Sequence, residues 1–255
     1  MRLQLAIEAA QAAGALLKSG FGKVCTIQNK EGRHNLVTEY DVRCEKLIIE
    51  FLKAKDPNAS ILAEESGRST DSSDHLWIID PLDGTVNFAH KIPFFCVSIA
   101  YAEGCDVKLG VIYNPITDEL FTAEKGKGAF FNGQRLQVTQ NTSLEEAMTA
   151  TGFPYCTSEN PQGCIDHFAN FCHQGLPIRL LGSAALHLAY VASGRLDAFW
   201  EVLLNAWDYA AGMLMVTEAG GMATRYNGAP LNDWQEGNVL ATNKHLHTYF
   251  QESLR

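Results

Sequence analysis

Trp77-Ile78-Ile79-Asp80-Pro81-Leu82-Asp83-Gly84-Thr85 joins an apolar run to a turn that carries two aspartates. The run 76–79 is too short for a helix and ends at Asp80-Pro81, so it predicts a buried strand that delivers Asp80 to its end. Pro81 fixes the turn, and Gly84 permits a backbone reversal that brings Asp83 alongside Asp80. Two carboxylates on one turn repel each other by several kcal/mol at an effective dielectric of about 20. A plain turn is the alternative interpretation, but turn chemistry explains one of the two aspartates better than both.

Other acidic residues also lie at the ends of predicted elements. Glu64 and Glu65 follow a short predicted strand, and Asp208 opens a predicted apolar helix. Taken singly, the two glutamates are typical of a solvated loop and Asp208 of a helix cap. Taken together, in a chain without histidine-rich spacing, these acids favour a hard cation such as Mg²⁺ bound through oxygen. Two or three such ions about 4 Å apart can activate water, neutralise phosphate oxygens and stabilise a leaving alkoxide.

The composition is that of an ordinary globular protein. The chain has 255 residues, of which 46% are apolar and 19% charged, and this length suggests one large domain or two small ones around a shared core. The formal charge is 20 − 29 = −9, so we expect no direct nucleic-acid partner, because such binding relies on Lys and Arg. The seven cysteines include no C-x-x-C pair. Most of them lie in apolar stretches, which predicts buried thiols in a reducing compartment rather than disulfides or a zinc site.

The N-terminus does not resemble a targeting signal. Apolar residues recur from Leu3 to Phe21 at steps of three and four, which predicts an amphipathic helix. Polar residues interrupt this stretch, so a signal peptide is disfavoured. No run of about 18 apolar residues occurs, so we expect no membrane association and a cytoplasmic protein.

The texture of the sequence changes near residue 137. The first half predicts an antiparallel meander with a hairpin turn at Asn132-Gly133, and the second half alternates strands and helices. Residues 22–35 are expected to form a hairpin or a mobile loop. The predicted helices are 3–21, 41–55, 182–193, 207–219 and 244–254. The predicted strands are 60–63, 76–79, 95–101, 107–113, 120–123, 130–131, 136–138, 197–201, 222–225 and 239–242.

These motifs together resemble the inositol monophosphatases, within the lithium-sensitive, Mg²⁺-dependent phosphatase superfamily. The resemblance covers nearly the whole chain, in the right order and at the right separations, and residues 151–154 resemble the bacterial branch. The matching segments are Leu36-Val37-Thr38-x-x-Asp41, Ala63-Glu64-Glu65-Ser66, residues 77–85, Gly182-Ser183-Ala184-Ala185, Trp207-Asp208-Tyr209-Ala210 and Thr217-Glu218-Ala219-Gly220-Gly221. The resemblance implies a layered αβαβα sandwich, of α+β and α/β character, like that of inositol monophosphatase and fructose-1,6-bisphosphatase. The change of pattern near residue 137 divides the chain into an N-terminal α+β domain at 1–136 and a C-terminal α/β domain at 137–255.

The resemblance also implies which residues bind Mg²⁺. The ligands of a first ion would be Glu64, Asp80 and the Leu82 carbonyl, and those of a second ion Asp80, Asp83 and Asp208. Glu65 would help to hold a third, weaker ion through water. Two to three ions are therefore expected.

The same resemblance assigns the remaining site residues. Asp41 and Thr85 would position and deprotonate the attacking water, and phosphate would rest on the backbone N–H groups of Gly84 and Thr85. The substrate contacts implied are Ser183, Ala184, Glu201, Asp208 and Arg179. Lys30 aligns with a loop lysine near the metals, although a solvated lysine is an equal alternative. The family also implies a homodimer.

The predicted reaction is hydrolysis of a small polyol phosphate, inositol 1-phosphate first, by direct attack of water. Asp80 and Asp83 are one residue too far apart for the D-x-D-x-T pattern of a covalent aspartyl-phosphate enzyme. Histidinol phosphate, fructose 1,6-bisphosphate, a 3′-phosphoadenosine nucleotide and NADP are the alternative substrates. A regulatory binding protein with secondary catalysis is the alternative of a different class. Ala63, Val86 and His34-Asn35 depart from the family's usual residues without removing a ligand, and they leave the pocket shape open.

Overall fold

The computed structural model describes residues 1–23, 26–29, 36–69 and 73–255. The elements of the first half are the helices α1 (Arg2–Gly20), α2 (Glu39–Lys55) and α3 (Thr85–Ala89) and the strands β1 (Ile27–Asn29), β2 (Leu36–Thr38), β3 (Ser60–Ala63), β4 (Gly67–Arg68), β5 (His75–Asp83), β6 (Cys96–Glu103), β7 (Asp106–Asn114), β8 (Glu119–Glu124), β9 (Gly128–Phe131) and β10 (Gln134–Arg135). Those of the second half are the helices α4 (Cys164–His173), α5 (Ala184–Ala192), α6 (Ala206–Glu218) and α7 (His247–Ser253) and the strands β11 (Thr149–Thr151), β12 (Ile178–Arg179), β13 (Ala198–Leu204), β14 (Met222–Thr224) and β15 (Gly237–Thr242).

Two sheets form the framework. The larger has the order β10-β9-β8-β7-β6-β5-β3-β4, and from β5 to β10 each strand pairs antiparallel with the next. The predicted meander and the Asn132-Gly133 hairpin are therefore confirmed. The smaller sheet has the order β12-β11-β13-β15-β14 and mixes parallel and antiparallel pairs.

The alternation of side chains along each strand builds five layers. On β5, Trp77 and Ile79 pack with α1 and α2, while Leu76 and Ile78 face α5 and α6. On β13, Phe199 belongs to that same central core, whereas the neighbouring side chains pack with α4 and α7. The order is α1/α2, large sheet, α5/α6, small sheet, α4/α7, which confirms the αβαβα sandwich.

The largest core is shared by both halves of the chain. It joins residues of the large sheet to α5, α6 and the small sheet. Strand membership changes from one sheet to the other between Arg135 and Thr149. The division into domains at 136/137 stays a prediction.

Several predicted boundaries were wrong for identifiable reasons. Helix α2 begins at Glu39 because Thr38 caps it and Asp41 completes the capping box. The strand predicted at 136–138 lies at Gln134–Arg135 instead. The Leu136 N–H still donates to the Ala129 carbonyl of β9, but the Val138 N–H donates to the Ala219 carbonyl and not to a strand partner. The last helix starts at His247 rather than 244 because Lys244 has a φ of 76°, which no right-handed helix admits.

Helix α4 and strands β11 and β12 were not predicted. Helix α4 spans only ten residues and buries only Cys164 and Phe171, so it was overlooked although Cys164, Phe168 and Phe171 recur at helical spacing. Strands β11 and β12 span three and two residues, too few to show a period. Of the predicted hairpin or loop at 22–35, β1 pairs antiparallel with β2, which follows directly at 36–38, and residues 24–25 and 30–35 lie outside the described residues. No helix of the described ranges combines the length and apolar character needed to cross a membrane.

Candidate active site

A one-residue bulge in β5 puts Asp80 and Asp83 on the same face of the large sheet. Asp80 is opposite Ser98 and Asp83 opposite Cys96, so three steps on β5 match two on β6. Residues three apart on a regular strand point to opposite faces, and one extra residue restores the same face. Both side chains are buried and share the face that turns toward α5 and α6. The bulge is therefore what allows two aspartates three residues apart to share one face of the sheet.

Gly84 allows the chain to leave β5 directly for α3. Its φ is 96°, and a Cβ at this position would lie 3.0 Å from the Phe94 carbonyl oxygen and 3.2 Å from that of Gly182. The left-handed conformation and the close backbone contacts both require glycine. The predicted reversal followed by a helix is confirmed.

Asp83 is fixed by the first turn of α5. The Ser183 hydroxyl donates to Asp83 Oδ2 at 2.6 Å, and the Ala185 N–H donates to the same oxygen at 2.7 Å. The Ala184 N–H lies 3.3 Å from Oδ1. In this structure Ser183 and Ala184 therefore support a carboxylate, and their predicted contact with substrate hydroxyls stays a prediction.

Asp41 and Thr85 are in direct contact, although they are far apart in sequence. The Thr85 hydroxyl lies 2.8 Å from Asp41 Oδ1 and 3.0 Å from the Leu82 carbonyl oxygen. Asp41 Oδ2 accepts from both the backbone N–H and the hydroxyl of Thr38. Burial raises the pKa of Asp41, and the hydrogen bonds from Thr38 and Thr85 oppose that rise. A carboxylate held in this way can orient the threonine hydroxyl toward a water.

Four carboxylates form one electrostatic group beside β5. The Glu64 N–H donates to the Ile79 carbonyl, which places Glu64 next to Asp80, and Asp208 completes the capping box of α6 through the Asn205 N–H at 2.6 Å. Burial and then the charges of Glu64, Asp83 and Asp208 raise the pKa of Asp80 well above its usual value. Burial, Asp83 and Glu64 do the same to the pKa of Asp208. The acidic residues predicted to converge are therefore neighbours.

The donor set of this group fits Mg²⁺. Its atoms are carboxylate oxygens in a buried place where they repel one another, which is what a hard divalent cation relieves. In the described part of the chain, no three His, Cys, Asp or Glu side chains stand in a ready ligand arrangement. Asp80, Asp83 and Asp208 accept bonds from nearby chain donors instead. The residues suit the cation by their chemistry and position.

Glu201 approaches from the small sheet. It shares the face of Phe199, toward the central layer, just before a bulge between Glu201 and Leu204. Its carboxylate packs over Gly152, where a Cβ would lie 2.2 Å from Oε2. Burial, followed by the charge of Asp83, raises the pKa of Glu201 to about 8. Each sheet thus brings acidic side chains to the central layer at a bulge.

The other predicted residues have different surroundings. The Glu65 N–H donates to Glu45 Oε2 at 2.8 Å, and the Glu65 charge raises the pKa of Asp41. Arg179 is exposed on β12, with its guanidinium 3.4 Å from the Ile178 carbonyl oxygen. Lys30 lies outside the described residues. The metal and substrate roles of Glu65, Arg179, Leu82 and Gly84 stay predictions.

Sequence reasoning missed Asn87 and His187, which connect two parts of the site. Asn87 is buried in α3, and its amide donates to the carbonyls of Phe94 and Leu181 at 2.7 Å. His187 is buried in α5. The signal available for Asn87 was a polar residue inside a short apolar helix, and His187 had none beyond its place in an apolar run.

The family comparison covers the full length of the fold. The model of the inositol monophosphatase family matches residues 2–255. An inositol-1-monophosphatase of Caulobacter vibrioides is 42% identical over 254 residues, covering 98% of this chain and 99% of that protein. A fructose-1,6-bisphosphatase/inositol-1-monophosphatase of Thermotoga maritima is 40% identical, with 96% and 93% covered. The Nus factor SuhB of Pseudomonas aeruginosa is also 40% identical, with 94% and 91% covered.

Solved structures show the same similarity. The extragenic suppressor protein suhB of Bartonella henselae superposes with a TM-score of 0.91 at 41% identity, with 99% of this chain and 97% of that chain covered. An IMPase/NADP phosphatase complexed with Mg²⁺ and phosphate superposes with a TM-score of 0.79 at 27% identity, with 90% and 85% covered.

The family match and the curated relatives show that the protein is a phosphoric monoester hydrolase, and the five-layered sandwich with acidic side chains from both sheets at its centre agrees with that class. Within that class, the chain belongs to the inositol monophosphatase family.

Proposed function

We propose that the chain is a Mg²⁺-dependent phosphomonoesterase that hydrolyses a small polyol phosphate, with inositol 1-phosphate as the first candidate. The observation that carries this proposal is the group formed by Asp80, Asp83, Asp208 and Glu64, in which each aspartate has a raised pKa because of burial and, for Asp80 and Asp208, its acidic neighbours. Such a group tolerates full ionisation when divalent cations compensate it. Two to three ions and a homodimer are parts of the same proposal.

The chain's own residues prepare the attack. Mg²⁺, when bound, supplies an acidified water and neutralises phosphate oxygens. Asp41 accepts the hydroxyl proton of Thr85, which leaves the threonine oxygen free to accept a hydrogen bond from the attacking water. The attacking water passes a proton to the Thr85 oxygen as the Thr85 proton moves to Asp41, its oxygen bonds to phosphorus, and the phosphorus–ester bond breaks, so that the ester oxygen leaves with the electron pair and takes a proton from bulk water. The Gly84 and Thr85 N–H groups are proposed to hold phosphate.

Glu201 favours a polyol as the leaving group. Its carboxylate lies near enough to Asp83 for the two charges to interact, which supports a role beside the proposed phosphate position. A carboxylate accepts hydrogen bonds from neighbouring hydroxyls, which a sugar or cyclitol offers in pairs. Exposed Arg179 is a weaker candidate for substrate contact.

Two relatives support specific alternatives. The similarity to a fructose-1,6-bisphosphatase/inositol-1-monophosphatase favours fructose 1,6-bisphosphate as a second substrate candidate. The similarity to a Nus factor favours a regulatory binding role with secondary catalysis. The predicted ligands Glu64, Asp80, Asp83 and Asp208 are nevertheless all present and grouped, which supports catalysis as the primary role.

A panel of phosphomonoesters tests the function. We expect Mg²⁺-dependent phosphate release, with the highest kcat/KM for inositol 1-phosphate among that ester, fructose 1,6-bisphosphate, histidinol phosphate, 3′-phosphoadenosine 5′-phosphate and NADP. Full release in excess EDTA contradicts the metal requirement. Release from none of the esters favours the regulatory alternative.

The variant Glu201→Gln tests the polyol assignment. We expect KM for inositol 1-phosphate to rise about tenfold, the effect of losing about 1.4 kcal/mol of hydrogen bonding to a charged group. A phosphate ester without vicinal hydroxyls, such as p-nitrophenyl phosphate, is the matched control substrate, and its KM should change little. Equal changes for both substrates would assign Glu201 to general support of the site.

A further inference from the structure

The backbone of Leu181 is held on both sides by buried side chains from two different helices. The Asn87 amide of α3 donates to the Leu181 carbonyl at 2.7 Å and also to the Phe94 carbonyl. The Leu181 N–H donates to Nε2 of His187 in α5 at 3.3 Å. His187 is 1% exposed and Asn87 8%. The Leu181 backbone is thus hydrogen-bonded both to α3, which follows β5 of the large sheet, and to α5 of the central helix layer.

This segment leads directly into the groups that hold Asp83. Ser183, two residues after Leu181, donates its hydroxyl to Asp83, and the Ala185 N–H follows. The Gly182 carbonyl is also in close contact with Gly84. A shift of Leu181 would therefore move the donors of Asp83 and the turn at Gly84 relative to each other.

The imidazole of His187 suits the role of an acceptor. Side chains of a helix lean toward its N-terminus, so the ring reaches back over the first turn of α5 to Leu181. Burial lowers the pKa of His187 to about 3, so the ring is neutral at physiological pH. With Nε2 accepting from Leu181, the proton lies on Nδ1, which has no hydrogen-bond partner among the described residues.

The histidine brings a gain and a cost to stability: Nε2 accepts from the Leu181 N–H, and Nδ1–H has no acceptor among the described residues. A buried donor without an acceptor carries a desolvation penalty. An apolar side chain of similar size would avoid this penalty, but it would leave the Leu181 N–H without its acceptor.

We propose that Asn87 and His187 are positioning residues that clamp the Leu181 peptide and thereby align the first turn of α5 with Asp83. The alignment matters for catalysis only through the proposed function, in which Asp83 binds Mg²⁺. Both residues act through the backbone of residues 181–185 and have no role in contacting substrate.

Two variants at His187 separate positioning from stability. His187→Leu removes the acceptor and the unpartnered donor together, whereas His187→Gln keeps an acceptor oxygen. We expect His187→Leu to raise the Mg²⁺ concentration at the midpoint of the metal-induced Tm shift about tenfold, while its metal-free Tm changes little, because the lost acceptor and the removed donor offset each other. The glutamine variant should recover most of the parent midpoint.

His247→Leu is the matched control. His247 is also buried and bonds Thr224 and Thr242, away from the acidic group. Its replacement should lower Tm and leave the Mg²⁺ midpoint unchanged. The proposal is overturned if His187→Leu behaves like this control, or if glutamine fails to recover the midpoint.

Coupling between the two residues gives an independent check. Because both residues act on Leu181, the double variant His187→Leu/Asn87→Ala should shift the Mg²⁺ midpoint by less than the sum of the shifts caused by the two single substitutions. Full additivity contradicts a shared action through one peptide.

Amide hydrogen exchange in the metal-free protein measures whether Asn87 and His187 hold the Leu181 backbone in place. In the metal-free protein, the Ala185 amide reports its bond to Asp83, and we expect it to exchange at least about tenfold faster in His187→Leu than in the parent. Unchanged exchange at Ala185 overturns the clamp, whatever the enzyme assays show. A parent protein that neither releases phosphate nor responds to Mg²⁺ overturns the proposed function instead.

Discussion

Replacing Asp83 by asparagine is expected to reduce phosphate release by at least about a thousandfold while the fold persists. Compensation of charge at a metal site supplies several kcal/mol of transition-state stabilisation, and each 1.36 kcal/mol corresponds to a factor of ten in rate. The carboxylate of Asp83 is also fixed by Ser183 and Ala185, so asparagine cannot satisfy the same donors with both of its atoms. The measurement is kcat at saturating Mg²⁺ and substrate.

The stability of the metal-free protein is expected not to fall in this variant, although its activity does. Burial is the main reason why the pKa of Asp83 is raised, so the neutral asparagine removes a charge that the folded metal-free protein resists. The metal-free Tm of Asp83→Asn should therefore equal or exceed that of the parent. A variant that loses activity because it unfolds would contradict this account, as would one that retains parent kcat.

Asp106→Asn is the matched control for this substitution. Asp106 lies on β7, where its carboxylate pairs with Lys108 and Lys125, remote from the acidic group. Its contribution to stability is small because these pairs are exposed. Parent-like kcat is expected for this variant.

The sequence predicted much of the site because its key residues are local. The apolar run 76–79 indicates a strand, and Pro81 and Gly84 indicate the turn that follows. The bulge that places Asp80 and Asp83 on one face is a three-dimensional feature, since it depends on pairing with Ser98 and Cys96 of β6. The sequence therefore predicted that the two aspartates lie close together, but it did not predict the β-bulge that brings them together.

Contacts between distant segments account for what sequence reasoning missed. Ser183 lies 100 residues from Asp83 and Asn87 lies 94 residues from Leu181, so no local pattern pairs them. Ser183 is a helix cap and a donor to Asp83 at once, and only the second role depends on the tertiary fold. Boundaries failed for a related reason, as at Lys244, where one left-handed residue delays a helix that the composition favours.

Removal of the metal is expected to make stability fall as pH rises through neutrality. The folded-state pKa values of Asp80, Asp83, Asp208 and Glu201 are raised, that of Glu201 to about 8. For such carboxyls, the stability present below the unfolded pKa near 4 is lost as pH rises through the folded pKa, because the native state then binds more protons than the unfolded state. Each such proton contributes a slope of about −1.4 kcal/mol per pH unit.

The range from pH 6.8 to 8.3 isolates this effect. The buried histidines His187 and His247 have lowered pKa values, about 3 and about 4, so they oppose the trend only below the unfolded value of about 6.5. Above that value the carboxyls dominate the balance, and the buried thiols of Cys44 and Cys96, whose pKa values burial raises, add to the fall only toward pH 8.3, because an unfolded thiol titrates at about 8.5. We expect the metal-free Tm to fall across this range by several degrees, since about 1 kcal/mol corresponds to roughly 2–4 °C for a chain of this size.

Mg²⁺ should abolish this slope, because bound cations compensate the carboxylates and return their pKa values toward or below the usual range. The measurement is Tm against pH in EDTA and in excess Mg²⁺, with Asp83→Asn as the internal comparison. That variant should show a shallower metal-free slope, since removing the Asp83 charge lowers the raised pKa of Glu201. Parallel slopes with and without Mg²⁺, or an unaltered slope in Asp83→Asn, would mean that the acidic group is neither strained by its own charge nor relieved by the metal.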